Sequence, residues 1–119
     1  MRIEAEVRGD VCILRLKGRF VTGSNGACVR AQEQLEAAGY CKVVADCREA
    51  GNLDAAGAGW IAGLYRSLAN SGGQLVLANV NPRIREVLQI TRLNDFIPIF
   101  DDEEAAFATL SDRERAACA

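Results

Sequence analysis

Polar and apolar side chains alternate from the start of the chain. Ile3, Ala5 and Val7 fall in one phase and Arg2, Glu4, Glu6 and Arg8 in the other, the period-two pattern of a half-buried strand. Gly9-Asp10 supplies a turn, and the more uniformly apolar "VCILRLKG" resumes beyond it, so the chain is expected to open with a β-hairpin. The segment "FVTGSNG" then loops toward a helix starting near Ser24 or Asn25, both good caps. Cys28, Ala31, Leu35 and Ala38 form its apolar face at helical spacing, and Gly39 ends it.

The later pattern is strand-to-helix alternation. "YCKVVADC" is a short apolar run of the kind a strand covered on both faces requires. A helix over about 55–69 follows, with Ile61, Leu64 and Leu68 as its buried stripe, and "NSGG" closes it. "QLVLANV" reads as a further interior strand, and Pro82 opens the helix "RIREVLQITRL" from its first turn. "FIPIF" reads as an edge strand, because Pro98 has no N–H to give a central ladder. "DDEEAAFATL" is expected to be a helix with acids at its positive end, and residues 111–119 a frayed tail. The order β-β-α-β-α-β-α-β-α predicts an α/β fold: one domain over 1–119, with a mixed sheet that opens on an antiparallel hairpin and packs against about four helices.

Charge narrows the function. The net charge is -2, and the basic residues are scattered among acids, so no stripe for a phosphate backbone exists. No apolar run approaches the roughly 20 residues that cross a bilayer, and "MRIEAEVRGD" has no signal-peptide core, which places the expectation in the cytoplasm. Five cysteines, Cys12, Cys28, Cys41, Cys47 and Cys118, show no Cys-x-x-Cys spacing, and the chain contains 0 His. Metal binding and His-based acid–base catalysis are both disfavoured. The first four cysteines read as small buried hydrophobes and Cys118 as a thiol of the tail.

The chemistry of interest lies at Leu53–Gly59, where "LDAAGAG" joins a strand to a helix. Asp54 is placed to cap the helix, worth about 1 kcal/mol. Gly57, Gly59 and Gly63 each weaken a helix by roughly 0.8–1 kcal/mol relative to Ala. Such a sequence calls for close backbone approach: tight packing on the helix's own sheet, or a flat surface on which another protein docks. Trp60 lies one position off the buried stripe, which leaves room for partial cover, but the expectation is a core Trp, with an interface anchor as the other reading.

These residues resemble a known family. "VVADCREAGNLDAAGAG" is similar to the strand–loop–helix signature of STAS domains, the sulfate transporter and anti-sigma factor antagonist family. There an Asp ends a central strand and an Asp-Ser-Ser-Gly-Leu-Gly-type segment follows eight positions later. Asp46, Asp54, Gly57 and Gly59 match that pattern; "VCILRLKGRF" and "LVLANVNPRIREVLQITRLNDFIPIFDDEEAAFA" resemble the family's opening and closing portions. The resemblance implies a non-enzymatic, cofactor-free binding module whose partner is an anti-sigma factor of the serine kinase type. It also implies contact positions at Asp54, Ala55, Ala56, Gly57 and Trp60, with Asp46 and Arg48 beside them. In regulatory members the second Ser of the motif accepts phosphate, and here that position is Ala56, after Ala55. No Ser or Thr occurs from Asn25 through Arg66 to replace it. The alternative reading is a non-switching docking subunit of a signalling assembly or of a lipid or ABC transporter complex. An enzyme using Asp46 and Asp54 for a cation or for acid–base work lacks a nucleophile or oxyanion donor. A phosphate loop or a phosphoacceptor receiver domain fits the residues poorly.

Overall fold

The computed structural model describes residues 2–20, 30, 33–34, 37, 39, 42–53, 55–70 and 72–111. Five strands form one sheet in chain order: β1 (Arg2–Arg8), β2 (Val11–Phe20), β3 (Lys42–Leu53), β4 (Gln74–Ala78) and β5 (Ile99–Phe100). The β1–β2 pair is antiparallel and the other three pairs are parallel. The hairpin closes on Gly9-Asp10 between the paired Arg8 and Val11, with Gly9 at φ +62° as a two-residue turn demands. Three helices are described: α1 (Ala55–Asn70), α2 (Pro82–Ile90) and α3 (Glu103–Ser111), with a 3-10 turn at Leu93–Asp95.

Strand order dictates the layers. The parallel strands advance in one direction across the sheet, so right-handed crossovers put α1 and α2 on the same face. That face carries the larger core, where Leu14, Leu16, Val43, Leu75 and Leu77 meet Ile61, Leu64 and Leu68 of α1 and Ile84 and Leu88 of α2. The opposite face is left to α3, which lays Ala106 and Leu110 over Val11, Ile13, Val44 and Val76. Among Arg30, Glu33, Gln34 and Ala37, all helical and all exposed, the spacing i, i+3, i+4, i+7 marks a solvent face. The buried face expected of that segment, and the cap near Ser24 or Asn25, lie outside the described residues, as do Cys28, Cys41, Cys118 and the tail beyond Ser111.

Two expectations need correction. The central strand does not stop near Asp46: β3 runs on to Leu53, so Arg48 and Glu49 lie in a strand and not a loop. It continues because β2 extends with it, pairing Lys17 with Glu49 and Phe20 with Leu53 across two register shifts, while buried Ala50 and Leu53 anchor the extension. In β1 the apolar phase is the more open one. Val7 is 50% exposed, whereas Glu6 and Arg8 are half-buried because they pair with residues of β2 and α3.

Candidate functional site

Two features lie toward the carboxyl ends of the parallel strands, where open α/β sheets hold their ligands. The first is built on Asp46. Its last sheet partner is Ala78, the end of β4, and beyond that pair only β2 and β3 continue as a two-stranded arm. Asn79 adopts φ +55°, which Asn tolerates. Its Nδ2 donates to Asp46 Oδ1 at 3.0 Å, and the Arg48 backbone N–H donates to the same oxygen at 3.0 Å. Asn81 caps α2 by accepting from the Ile84 N–H at 2.9 Å, and its Nδ2 donates to the Ala50 carbonyl at 3.0 Å, which ties the arm to α2.

On the α3 side, Arg15 donates through Nε and Nη2 to Glu103 at 3.2 and 2.8 Å, and Glu103 in turn hydrogen-bonds with Asp46. The network runs outward through Glu6 and Arg8 to Glu104. Asp102 caps α3 by accepting from the Ala105 N–H at 2.7 Å. Burial pushes the Asp46 carboxyl up, but its hydrogen bonds from Glu103, Asn79 and the Arg48 N–H, and the charge of Arg15, outweigh it and hold the group below its ordinary value. Glu103 moves the other way: burial and the neighbouring Asp46 raise it against the pull of Arg15. Of the two carboxyls, Glu103 therefore takes up a proton before Asp46. These groups line an open cavity of about 610 Å³, with Leu16, Arg48 and Glu49 on its rim. No group of His, Cys, Asp and Glu arranged to hold a metal ion occurs among the described residues. Cys47 beside Asp46 is an inert thiol, pushed up to about 12 by burial and by the adjacent carboxylate.

The second feature is the start of α1. Asp54 and the side chains of Ala55 and Ala56 lie outside the described residues; the helix itself begins at Ala55. Gly57 and Ala58 turn inward and are buried, and Trp60 is half-covered, packed against the core as its offset from the stripe allows. The glycines further on bear on the first of the two reasons for small residues, packing on the helix's own sheet. Gly59 and Gly63 are exposed, and a Cβ built on either meets no atom within 4 Å. Packing of α1 on its own sheet does not require them. With Arg66 they form an outward row at one-turn spacing.

Sequence reasoning located Asp46 and Arg48 but missed Arg15, Asn79 and Glu103, which complete the Asp46 cluster. The signal was present. Arg15 continues the inward phase of Val11 and Ile13, and Asp46 continues that of Val44, so opposite charges stood in register on a face otherwise apolar.

A mixed five-stranded sheet that opens on an antiparallel hairpin, with α1 and α2 on one face and α3 on the other, defines a small α/β domain. The STAS domain family model matches residues 2–106, and the chain belongs to that family. It is 26% identical over 111 residues to the anti-sigma F factor antagonist of Paenibacillus polymyxa, covering 92% of this chain and 95% of that protein. The crystal structure of an anti-sigma factor antagonist from Mycobacterium paratuberculosis superposes with a TM-score of 0.84 at 18% identity, over 93% of this chain and 94% of that one. SpoIIAA, a Bacillus cell fate determinant solved in unphosphorylated and phosphorylated forms, gives a TM-score of 0.71 at 22% identity for the unphosphorylated form, over 94% of this chain and 100% of that one.

Proposed function

We propose that this chain is an anti-sigma-factor-antagonist-like docking module whose α1 start receives a partner of the anti-sigma factor, serine kinase type, and that it is not switched by phosphorylation at that start. The observation that carries this reading is the outward row at Gly59 and Gly63. Two glycines cost the helix roughly 0.8–1 kcal/mol each, and nothing within the chain fills the space they leave. A second macromolecule approaching the backbone accounts for that cost. Asp54, Ala55, Ala56 and Trp60 are the contact positions at the head of the row, whereas the burial of Gly57 takes it off that surface. Asp46 acts by position, fixing the backbone of Arg48 at the rim.

A similar protein exists in a phosphorylated form, whereas this chain has Ala at both positions matching the paired Ser of the family motif. Phosphate brings close to two negative charges, so Ala56 keeps the surface in a permanently neutral state. The test is titration calorimetry of the purified chain against the serine-kinase anti-sigma factor of its own cell, with and without ATP. Binding that ATP does not diminish, no phosphate incorporated in residues 47–66, and a loss of at least about tenfold in Ala56→Glu with unchanged melting support the reading. Equal affinity of wild type and Ala56→Glu moves the interface elsewhere, and absence of binding removes this class of partner.

A further inference from the structure

Among the described residues the large apolar side chains left most open are Val7, Ile90 and Phe96, at 50%, 74% and 62% exposure. Two of the three fall within seven residues, on the turn that follows α2. That turn is stiff. The Thr91 and Arg92 N–H groups donate to the carbonyls of Val87 and Gln89 at 3.0 and 3.2 Å, those of Asp95 and Phe96 to Arg92 and Leu93 at 3.1 Å each, and Ile97 beneath them is buried. The Phe96 ring rests 6.4 Å from that of Tyr65 on α1. Arg92 holds φ +61° and ψ +19°, a helix-ending conformation that glycine usually fills, so an arginine is kept there at a cost.

The charges point to what covers this turn. Arg92 and Asp95 are both exposed, and neither forms an ion pair with another described residue. An acidic partner would satisfy Arg92 and repel Asp95, a basic one would do the reverse, and an anionic lipid surface meets the same conflict. A second copy related by a two-fold axis presents Asp95 to Arg92 and Arg92 to Asp95 together, with Ile90 and Phe96 closing between them. We propose that the turn Ile90–Phe96 is a two-fold self-association surface, independent of the docking face at the start of α1. Two exposed apolar side chains and two charges make a minor contact beside the roughly 800 Å² per partner of a standard interface, so the dimer is expected to be weak and reversible.

Sedimentation velocity of the full chain from about 10 µM to about 1 mM at low salt tests it. The wild type is expected to shift from monomer to dimer across that range, and Phe96→Ser to raise the dissociation constant by about tenfold or more. Arg92→Asp and Asp95→Arg are each expected to weaken the dimer, and the double reversal to restore it. Melting curves at the lowest concentration identify any variant that fails to fold, in which case the charge reversals carry the test. A chain that stays monomeric throughout, a dimer indifferent to Phe96→Ser, or a double reversal no tighter than its single variants overturns the proposal.

Discussion

Arg15 and Asp46 are register partners on neighbouring strands, yet the two shortest hydrogen bonds of Arg15, 3.2 and 2.8 Å, run to Glu103 on α3. Glu103 stands between cation and carboxylate, bonded to both. The closing helix is thus fastened to the sheet through a carboxyl group whose titration is raised by burial and by Asp46, so its hold depends on pH.

Glu103 titrates above its ordinary 4.5, while an unfolded chain ionises at that value. The stability it supplies is present at lower pH and is lost as pH rises from 4.5 through the raised folded value. Asp46 is held below its ordinary 3.8, so its contribution is present above 3.8 and is lost as pH falls through the lowered folded value. Glu103→Gln keeps a donor toward Asp46 and an acceptor toward Arg15 without a titrating proton. Its melting temperature, followed by circular dichroism, is expected to match the wild type near pH 4 and to exceed it increasingly toward pH 7. Parallel profiles would remove the raised titration of Glu103.

Asn79 performs two tasks, adopting a left-handed φ and donating to Asp46. Asn79→Gly preserves the first and removes the second, so its cost isolates the hydrogen bond to a charged acceptor at about 1.5–3 kcal/mol. Asn79→Ala adds backbone strain and is expected to cost about 1 kcal/mol more. Urea unfolding of the two variants measures the difference; equal costs would show that the left-handed turn carries no strain.

The outward glycines of α1 separate stability from docking. Gly59→Ala and Gly63→Ala each place a methyl in open space and are expected to stabilise the fold by roughly 0.8–1 kcal/mol in chemical denaturation. Gly63→Trp, whose Cβ starts in the same open space, is expected to weaken binding of the proposed partner by tenfold or more while the chain stays folded. Full affinity in Gly63→Trp would clear α1 of any contact role.

Arg92 occupies a glycine conformation. Arg92→Gly is expected to raise stability by about 0.5–1 kcal/mol at dilute concentration, since relief of the left-handed backbone exceeds the entropy glycine adds to the unfolded chain. Loss of stability would mean that the arginine side chain packs usefully within its own molecule.

Much of the architecture was legible because periodicity and punctuation agreed. The stripe Ile61, Leu64 and Leu68 and the first-turn Pro82 occupy their expected places, and "FIPIF" does supply the edge strand, although only Ile99–Phe100 pairs and Pro98 precedes it. The pattern failed where pairing rather than composition decides. "REAGN" carries the marks of a loop, yet it continues β3 because β2 supplies a partner and register shifts absorb the mismatch. The candidate site was half legible for a similar reason. Asp46 and the small residues of α1 are local signals, but Glu103 lies 57 positions from Asp46, and only the return of α3 across the sheet brings the two together.

Among the described residues only α3 covers the second face, and this also sets an order of assembly. Val11, Ile13, Val44 and Val76 are synthesised well before Glu103–Ser111, which shields them. A ribosome-bound nascent chain therefore carries a half-clad sheet, sticky on one side, and native closure waits for the last helix to emerge. Chaperone demand during translation should follow from that lag, and moving the coding segment for α3 ahead of β1 by circular permutation would shorten it.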